Sequence, residues 1–180
     1  TEVVVCNPDI TIDPEAIETL LTSMENFERT AICGPAIFDS KGDLYPSARA
    51  IPGIRIGIGH ALLGKVWPSN PWTQRYLGNY EGSETRVVGW LSGSFFLISR
   101  KAFDQIRGFD EGYFMFFEDV DLGFRLKKLG YRSAYVPSAR ITHMGAHSTS
   151  SRMKSMIKKY FMIISFMLLG SREDQLRRAP

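Results

Sequence analysis

Trp90–Tyr131 reads WLSGSFFLISRKAFDQIRGFDEGYFMFFEDVDLGFRLKKLGY, and the changes of period within it decide the fold. Arg86–Ser99 (RVVGWLSGSFFLIS) is an apolar run interrupted by small residues, as expected of a broken strand. Arg100–Ile106 follows as a short helix and Gly108-Phe109-Asp110-Glu111 as a turn. From Glu118 to Leu129 the positions Leu122, Arg125, Leu126 and Leu129 recur three or four apart, and Gly130 supplies a C-terminal stop.

Working outward, a strand over Glu2–Cys6 runs into Asn7-Pro8-Asp9. Asp13 as N-cap and Pro14 in the first turn open a helix reaching about Asn26, with Ile17, Leu20, Leu21 and Met24 at helical spacing. A strand over about Thr30–Phe38 stops at the Asp39–Asp43 turn, and Leu44–Ala50 reads as the returning strand. Between Ile51 and Ser83 Gly and Pro break the pattern, leaving a short helix near Gly57–Val66 and a long surface loop. Beyond Gly130, Tyr131–Val136 and Ala139–His143 are short strands split by Pro137. A final helix is expected over Arg152–Leu169. Strands and helices alternate early and mix later, so the expected fold class is α/β with one antiparallel edge.

A length of 180 residues suits one domain with its own core, and 44% hydrophobic with 12% aromatic residues excludes a disordered chain. Cys6 and Cys33 lie in apolar strand-like runs and read as small core residues, not as a disulfide framework. The first ten residues lack the basic start of a signal peptide. The net charge of +3 is unevenly placed: from Ser151 onward seven Lys/Arg face two Asp/Glu, whereas the first 150 residues carry 15 against 17. Basic character therefore belongs to the C-terminal tail, which argues against a nucleic-acid partner.

Two acidic sites stand out. Asp9 follows an apolar strand, where ligands of open α/β sheets gather and where a carboxylate can share a divalent cation with substrate phosphates. The same Asn-Pro-Asp also reads as an ordinary turn before a helix. In Glu118-Asp119-Val120-Asp121, three carboxylates follow the aromatic run Tyr113–Phe117. The helix dipole favours acids at a helix start and accounts for Asp121. It does not account for Glu118 and Asp119 beside so much apolar surface, where burial raises a carboxylate's pKa toward that of a general base. His143-Met144-Gly145-Ala146-His147 spaces two histidines four apart. Gly145 and the preceding strand speak against the helix that a two-His zinc site needs.

VVVCNPDI, the Trp90–Tyr131 segment, YVPSARITH and GAHST, in that order from Val3 to Thr149, resemble the family 2 inverting glycosyltransferases of the A-type fold. Within that family they are similar to bacterial rhamnosyltransferases acting on N-acetylglucosaminyl-diphospho-polyprenol. The resemblance implies a partial A-type, Rossmann-like mixed sheet flanked by helices. It also implies Asp119 as catalytic base with Glu118 as orienting or acceptor-binding neighbour. Asn7-Pro8-Asp9 stands where the family keeps its metal motif, so Asp9 is the expected metal ligand and Asn7 with Asp9 the donor-diphosphate contact. His143 is expected near metal and diphosphate, and Trp90, Ser92 and Gly93 in the acceptor pocket. Mg²⁺ or Mn²⁺ is the implied cofactor. In the family the nucleotide-binding strands precede the metal motif, and here only five residues precede Cys6. The donor-binding half is therefore expected to lie outside this chain.

The implied activity is transfer of a hexosyl group, L-rhamnosyl from dTDP-rhamnose, to a lipid-linked saccharide with inversion, in cell-wall or surface polysaccharide synthesis. Residues 1–150 would form the metal- and acceptor-binding part, and 151–180 a basic-apolar amphipathic helix. Phe161–Leu169 is too short an apolar run to span a bilayer. Flanked by Lys154, Lys158, Lys159, Arg172, Arg177 and Arg178, it fits a membrane surface, and a cytoplasmic, peripheral place on the inner face of the plasma membrane. The same run also reads as a core helix closing the domain. Two rivals are a non-catalytic remnant that binds acceptor or membrane only, and a metal-dependent hydrolase using Asp119, His143 and His147.

Overall fold

The computed structural model describes residues 1–51, 84–113 and 118–144, with a few positions between 63 and 71. The chain divides into two compact units, Thr1–Ile51 with Leu77–Ala146, and Pro52–Tyr76 with His147–Pro180. In the second, the Leu63 carbonyl accepts the Trp67 N–H at 2.7 Å. The expected helix over Arg152–Leu169, the aromatic residues 114–117, Gly145 and His147 lie outside the described residues.

The first unit is built on a mixed sheet. Its strands are β1 (Glu2–Cys6), β2 (Ile10–Ile12), β3 (Thr30–Asp39), β4 (Leu44–Tyr45), β6 (Arg86–Val88), β8 (Phe95–Ser99) and β9 (Arg132–His143). The main path runs β1-β8-β3-β9-β2, with β4 on β3 and β6 on β9. A separate ribbon pairs β5 (Ala48–Arg49) with β7 (Trp90–Leu91). Three helices accompany the strands: α1 (Ala16–Asn26), α2 (Arg100–Gln105) and α3 (Glu118–Lys128). Among the described residues no helix is long and apolar enough to cross a membrane.

Strict alternation in β8 and β3 makes the core two-sided. Phe95 and Leu97 point with Cys33 and Ile37 toward Ala16 and Leu20 of α1. Phe96 and Ile98 point with Ile32 and Ala36 the other way, toward Ala102, Leu122 and Leu126 of α2 and α3. A sheet covered on both faces needs apolar residues at every position, which is why these strands read as continuous apolar runs.

Four expectations are revised. Cys6, read as a core residue, is exposed at the end of β1, whereas Cys33 is buried. Asp13 does not cap α1: its N–H bonds the Arg140 carbonyl of β9 at 3.3 Å, and its own carbonyl accepts Ala16 N–H at 3.2 Å. The helix starts after Glu15, whose φ of 68° is left-handed. Leu44–Ala50 is not one strand. Pro46 lacks the N–H that would carry the ladder on, so β4 stays on β3 and β5 turns to pair with β7. Pro137, conversely, does not split β9. It sits in a bulge, where register jumps from Pro35↔Val136 to Ala36↔Arg140, and the strand continues to His143.

Candidate functional site

β1 and β3 both run antiparallel to β8, and β3 runs parallel to β9. The carboxyl ends of β1 and β9 therefore share one edge of the sheet with the start of β8. The sequence-expected residues Asn7, Asp9, Ser92, Gly93 and His143 come to this edge.

Asn7-Pro8-Asp9 leaves β1 and is stitched to the start of β8 by the Asn7 N–H, which donates to the Ser94 carbonyl at 2.9 Å. Asp9 Oδ1 lies 3.1 Å from His143 Nε2, and Asn7 Nδ2 lies 3.4 Å from the same nitrogen. One ring nitrogen cannot serve both as donor and acceptor, so the shorter contact, Nε2–H to the carboxylate, takes it and Asn7 is the weaker neighbour. The Asp9 carbonyl also accepts the Met144 N–H at 3.1 Å, fixing the turn against the end of β9. His143 is buried while the Asp9 side chain is 41% exposed, so the pair offers one anchored and one solvent-facing end. His143 Nδ1 is buried with no hydrogen-bond partner among the described residues. Among those residues no group of three His, Cys, Asp or Glu side chains converges on a metal position.

Ser92-Gly93-Ser94 links β7 to β8. The two serine hydroxyls are 3.0 Å apart, and the Ser92 N–H donates to the Ser47 carbonyl at 2.7 Å. Between them the Gly93 N–H donates to Asp119 Oδ2 at 3.1 Å. Asp119 Oδ1 accepts its neighbour's N–H, from Val120, at 2.8 Å. Asp119 is buried, and burial is the main cause that lifts its carboxyl to about 6. The Gly93 N–H opposes that shift, and the charge of Glu118 beside it adds to it. A Cβ at Gly93 would stand 3.8 Å from Asp119 Cβ and 3.9 Å from its Oδ2, ordinary contact, so the glycine leaves room for a methyl-sized group beside the carboxylate.

The hydrogen-bonded path His143–Asp9, Asn7–Ser94, Gly93–Asp119 thus joins the two acidic sites. Trp90 stands apart from it: its ring lies 5.7 Å from the Arg49 guanidinium, and its backbone packs under α3 at Gly123. Glu118 opens α3, half-buried. Asp121 is not simply a dipole-favoured acid. It is 2% exposed and takes the Arg125 Nε–H at 2.5 Å. The spacing Asp121-x-x-x-Arg125 is the signal that would have revealed the pair. Ser94 was also missed, because it acts through its backbone carbonyl.

A family model described as Glycosyltransferase like family 2 matches residues 73–161. N-acetylglucosaminyl-diphospho-decaprenol L-rhamnosyltransferases from two strains of Mycobacterium tuberculosis are 45% identical to the chain over 178 residues. The match covers 99% of this chain and 58% of those relatives. Rhamnosyltransferase WbbL of Escherichia coli K12 is 34% identical over 147 residues, covering 81% of the chain and 53% of that relative. Among solved structures, GalNAc-T7 with UDP, GalNAc and Mn²⁺ superposes with a TM-score of 0.53 at 15% identity. That superposition covers 91% of this chain and 31% of the other, and shows likeness of fold alone. The chain spans a little over half the length of the curated relatives it matches.

Proposed function

We propose that the chain is the acceptor-side part of an inverting nucleotide-sugar transferase of glycosyltransferase family 2, the family its matches point to. The transferred group is a hexosyl, L-rhamnosyl from dTDP-rhamnose, and the acceptor is a polyprenyl-diphosphate-linked saccharide of cell-wall or surface polysaccharide synthesis. The relatives' names support that choice of sugar and acceptor. The single observation that carries the reading is Asp119: a buried carboxylate raised to about 6, anchored beside an open glycine on the path that leads to Asp9 and His143.

In this reading Asp119 removes the proton from an acceptor hydroxyl lying over Gly93, and that oxygen attacks the anomeric carbon from the face opposite the diphosphate. A base with a pKa near 6 is ionised at neutral pH yet basic enough to share the proton as the bond forms. Both Asp119 oxygens keep a lone pair after accepting their backbone bonds. Glu118 orients the acceptor, while Trp90 and Ser92 line its pocket.

Asp9 and His143 fit a divalent ion. A carboxylate and an imidazole meet at 3.1 Å with Asp9 facing solvent, and an ion held there would take the place of the Nε2 proton between them. Two protein donors suffice for Mg²⁺ or Mn²⁺ when water and diphosphate oxygens complete the shell. Bound there, such an ion would neutralise the charge of the departing diphosphate. Asn7, beside the same imidazole, is assigned to the diphosphate with Asp9.

We assign residues 1–150 to metal and acceptor binding and 151–180 to a basic-apolar helix at the inner face of the plasma membrane. The charge and apolar pattern of that segment support it. The test is to give the intact protein Mn²⁺, dTDP-rhamnose and N-acetylglucosaminyl-diphospho-polyprenol, and to read the product's anomeric configuration by NMR. Transfer with inversion is expected; a folded protein that transfers nothing from any nucleoside-diphosphate sugar overturns the reading.

A further inference from the structure

Arg125 is a buried cation that the proposed chemistry leaves unused. It is 8% exposed, and three of its contacts are directed. Nε donates to Asp121 Oδ2 at 2.5 Å, and Nη1 donates to the carbonyls of Ile106 at 2.5 Å and Gly108 at 2.9 Å. Ile106 closes α2, and the next two residues turn left-handed, Arg107 at φ 58° and Gly108 at φ 70°. The turn aims two carbonyls inward, and the guanidinium takes both. One side chain of α3 therefore caps the end of α2.

A buried ion pair is weak evidence for stability, because desolvating both charges offsets their attraction. Geometry is the better account of this one. Asp121 lies two residues after Asp119 in the first turn of α3. One turn after Asp119, Gly123 presses on Trp90 so closely that a Cβ would come within 2.8 Å of the Gly89 carbonyl oxygen. The helix is thus held against β7 at Gly123 and against the α2 turn through Asp121 and Arg125. Between these supports and Gly93, the Asp119 carboxylate has little room to drift.

We propose that Arg125 is a positioning residue for glycosyl transfer: with Asp121 it clamps α3 to the turn after α2 and so holds the Asp119 carboxylate over Gly93. This rests on the assignment of Asp119 as base. A displacement of about 1 Å at a reacting group lowers rate by on the order of 100-fold, so the clamp would act on turnover and not on donor affinity.

The experiment compares R125M, D121L/R125M and R125K in the intact protein, reading melting temperature, kcat, donor KM and amide exchange at Gly93. R125M, which strands the Asp121 charge, is expected to lose stability. The double variant removes both charges and should recover much of it, yet keep kcat about 100-fold down with donor KM within about twofold. R125K keeps the charge without the planar fork; it should sit between, with faster Gly93 exchange. A double variant with wild-type kcat overturns the proposal. So does R125K with unchanged kcat and Gly93 protection, which decides the matter if the double variant fails to fold. Wild-type protein without transfer would refute the transferase reading instead, and Gly93 exchange would then read the clamp on its own.

Discussion

The Asp119 carboxylate accepts the backbone N–H of Gly93 at 3.1 Å across 26 residues of chain. That bond fastens the start of α3 to the link between β7 and β8. It also opposes the burial that raises the carboxyl to about 6 without cancelling it. The group is therefore fixed in place and still basic.

Such a carboxylate makes the fold pH-sensitive in a definite direction. Its folded pKa, about 6, lies above the ordinary 3.8, so its contribution to stability is full below about pH 4 and lost as pH rises through 6. Asp119→Asn cannot ionise but loses one of the two acceptor oxygens, so it carries a constant cost, and its stability relative to wild type should rise by about 1–3 kcal/mol between about pH 4 and pH 8. That difference should shrink again as pH falls to about 4. Thermal unfolding of both proteins across that range checks this, and a gap independent of pH would contradict it.

The same value sets the rate profile. Transfer should fall about tenfold per pH unit on the acid side of 6 and be flat above it, until another group intervenes. Steady-state kcat/KM against pH is the measurement. A limb centred near 4 would mean that the base is an ordinary exposed carboxylate.

Two glycines near the site should respond oppositely. A methyl at Gly93 meets Asp119 only at 3.8 Å, so Gly93→Ala should change stability by less than about 0.5 kcal/mol while narrowing the space beside the carboxylate. Gly123→Ala puts a methyl 2.8 Å from both the Gly89 oxygen and Trp90 Cβ, and should cost about 1–3 kcal/mol as α3 shifts. Denaturant midpoints and turnover together separate the two. Equal destabilisation by both would refute the packing described here.

Most of the fold was legible because the apolar runs are long and the helices well punctuated. β1, β3, α2 and α3 sit within a residue or so of their expected bounds. What failed was pairing. Period alone cannot show that Pro46 hands the chain from β3 to β7, or that Pro137 bulges without ending β9, since both depend on a partner strand. In the site, motifs point to Asp9, His143, Gly93 and Asp119, but apart from the Asp9–His143 side-chain contact the bonds that join them run through backbone groups. A sequence carries no sign of the Ser94 carbonyl or the Gly93 N–H. The Asp121–Arg125 pair is legible as helix spacing, although the helix dipole alone already accounts for an acid at Asp121.

Asp9 and His143 should act on metal and donor together. Asp9→Ala or His143→Ala should weaken Mn²⁺-dependent binding of a nucleoside-diphosphate sugar by roughly tenfold or more, leaving the melting temperature without metal little changed for exposed Asp9. Calorimetric titration with and without Mn²⁺ reads this. Unaltered metal-dependent binding in both variants would place the ion elsewhere.

The central claim is that Asp119 is the base, and the most direct measurement is single-turnover transfer by Asp119→Asn in the intact protein. Donor and Mn²⁺ are held saturating, and donor binding is checked by calorimetry. The account predicts loss of transfer by at least about 100-fold, with donor affinity and fold intact. Turnover within a few-fold of wild type in a folded, donor-binding Asp119→Asn protein would contradict it.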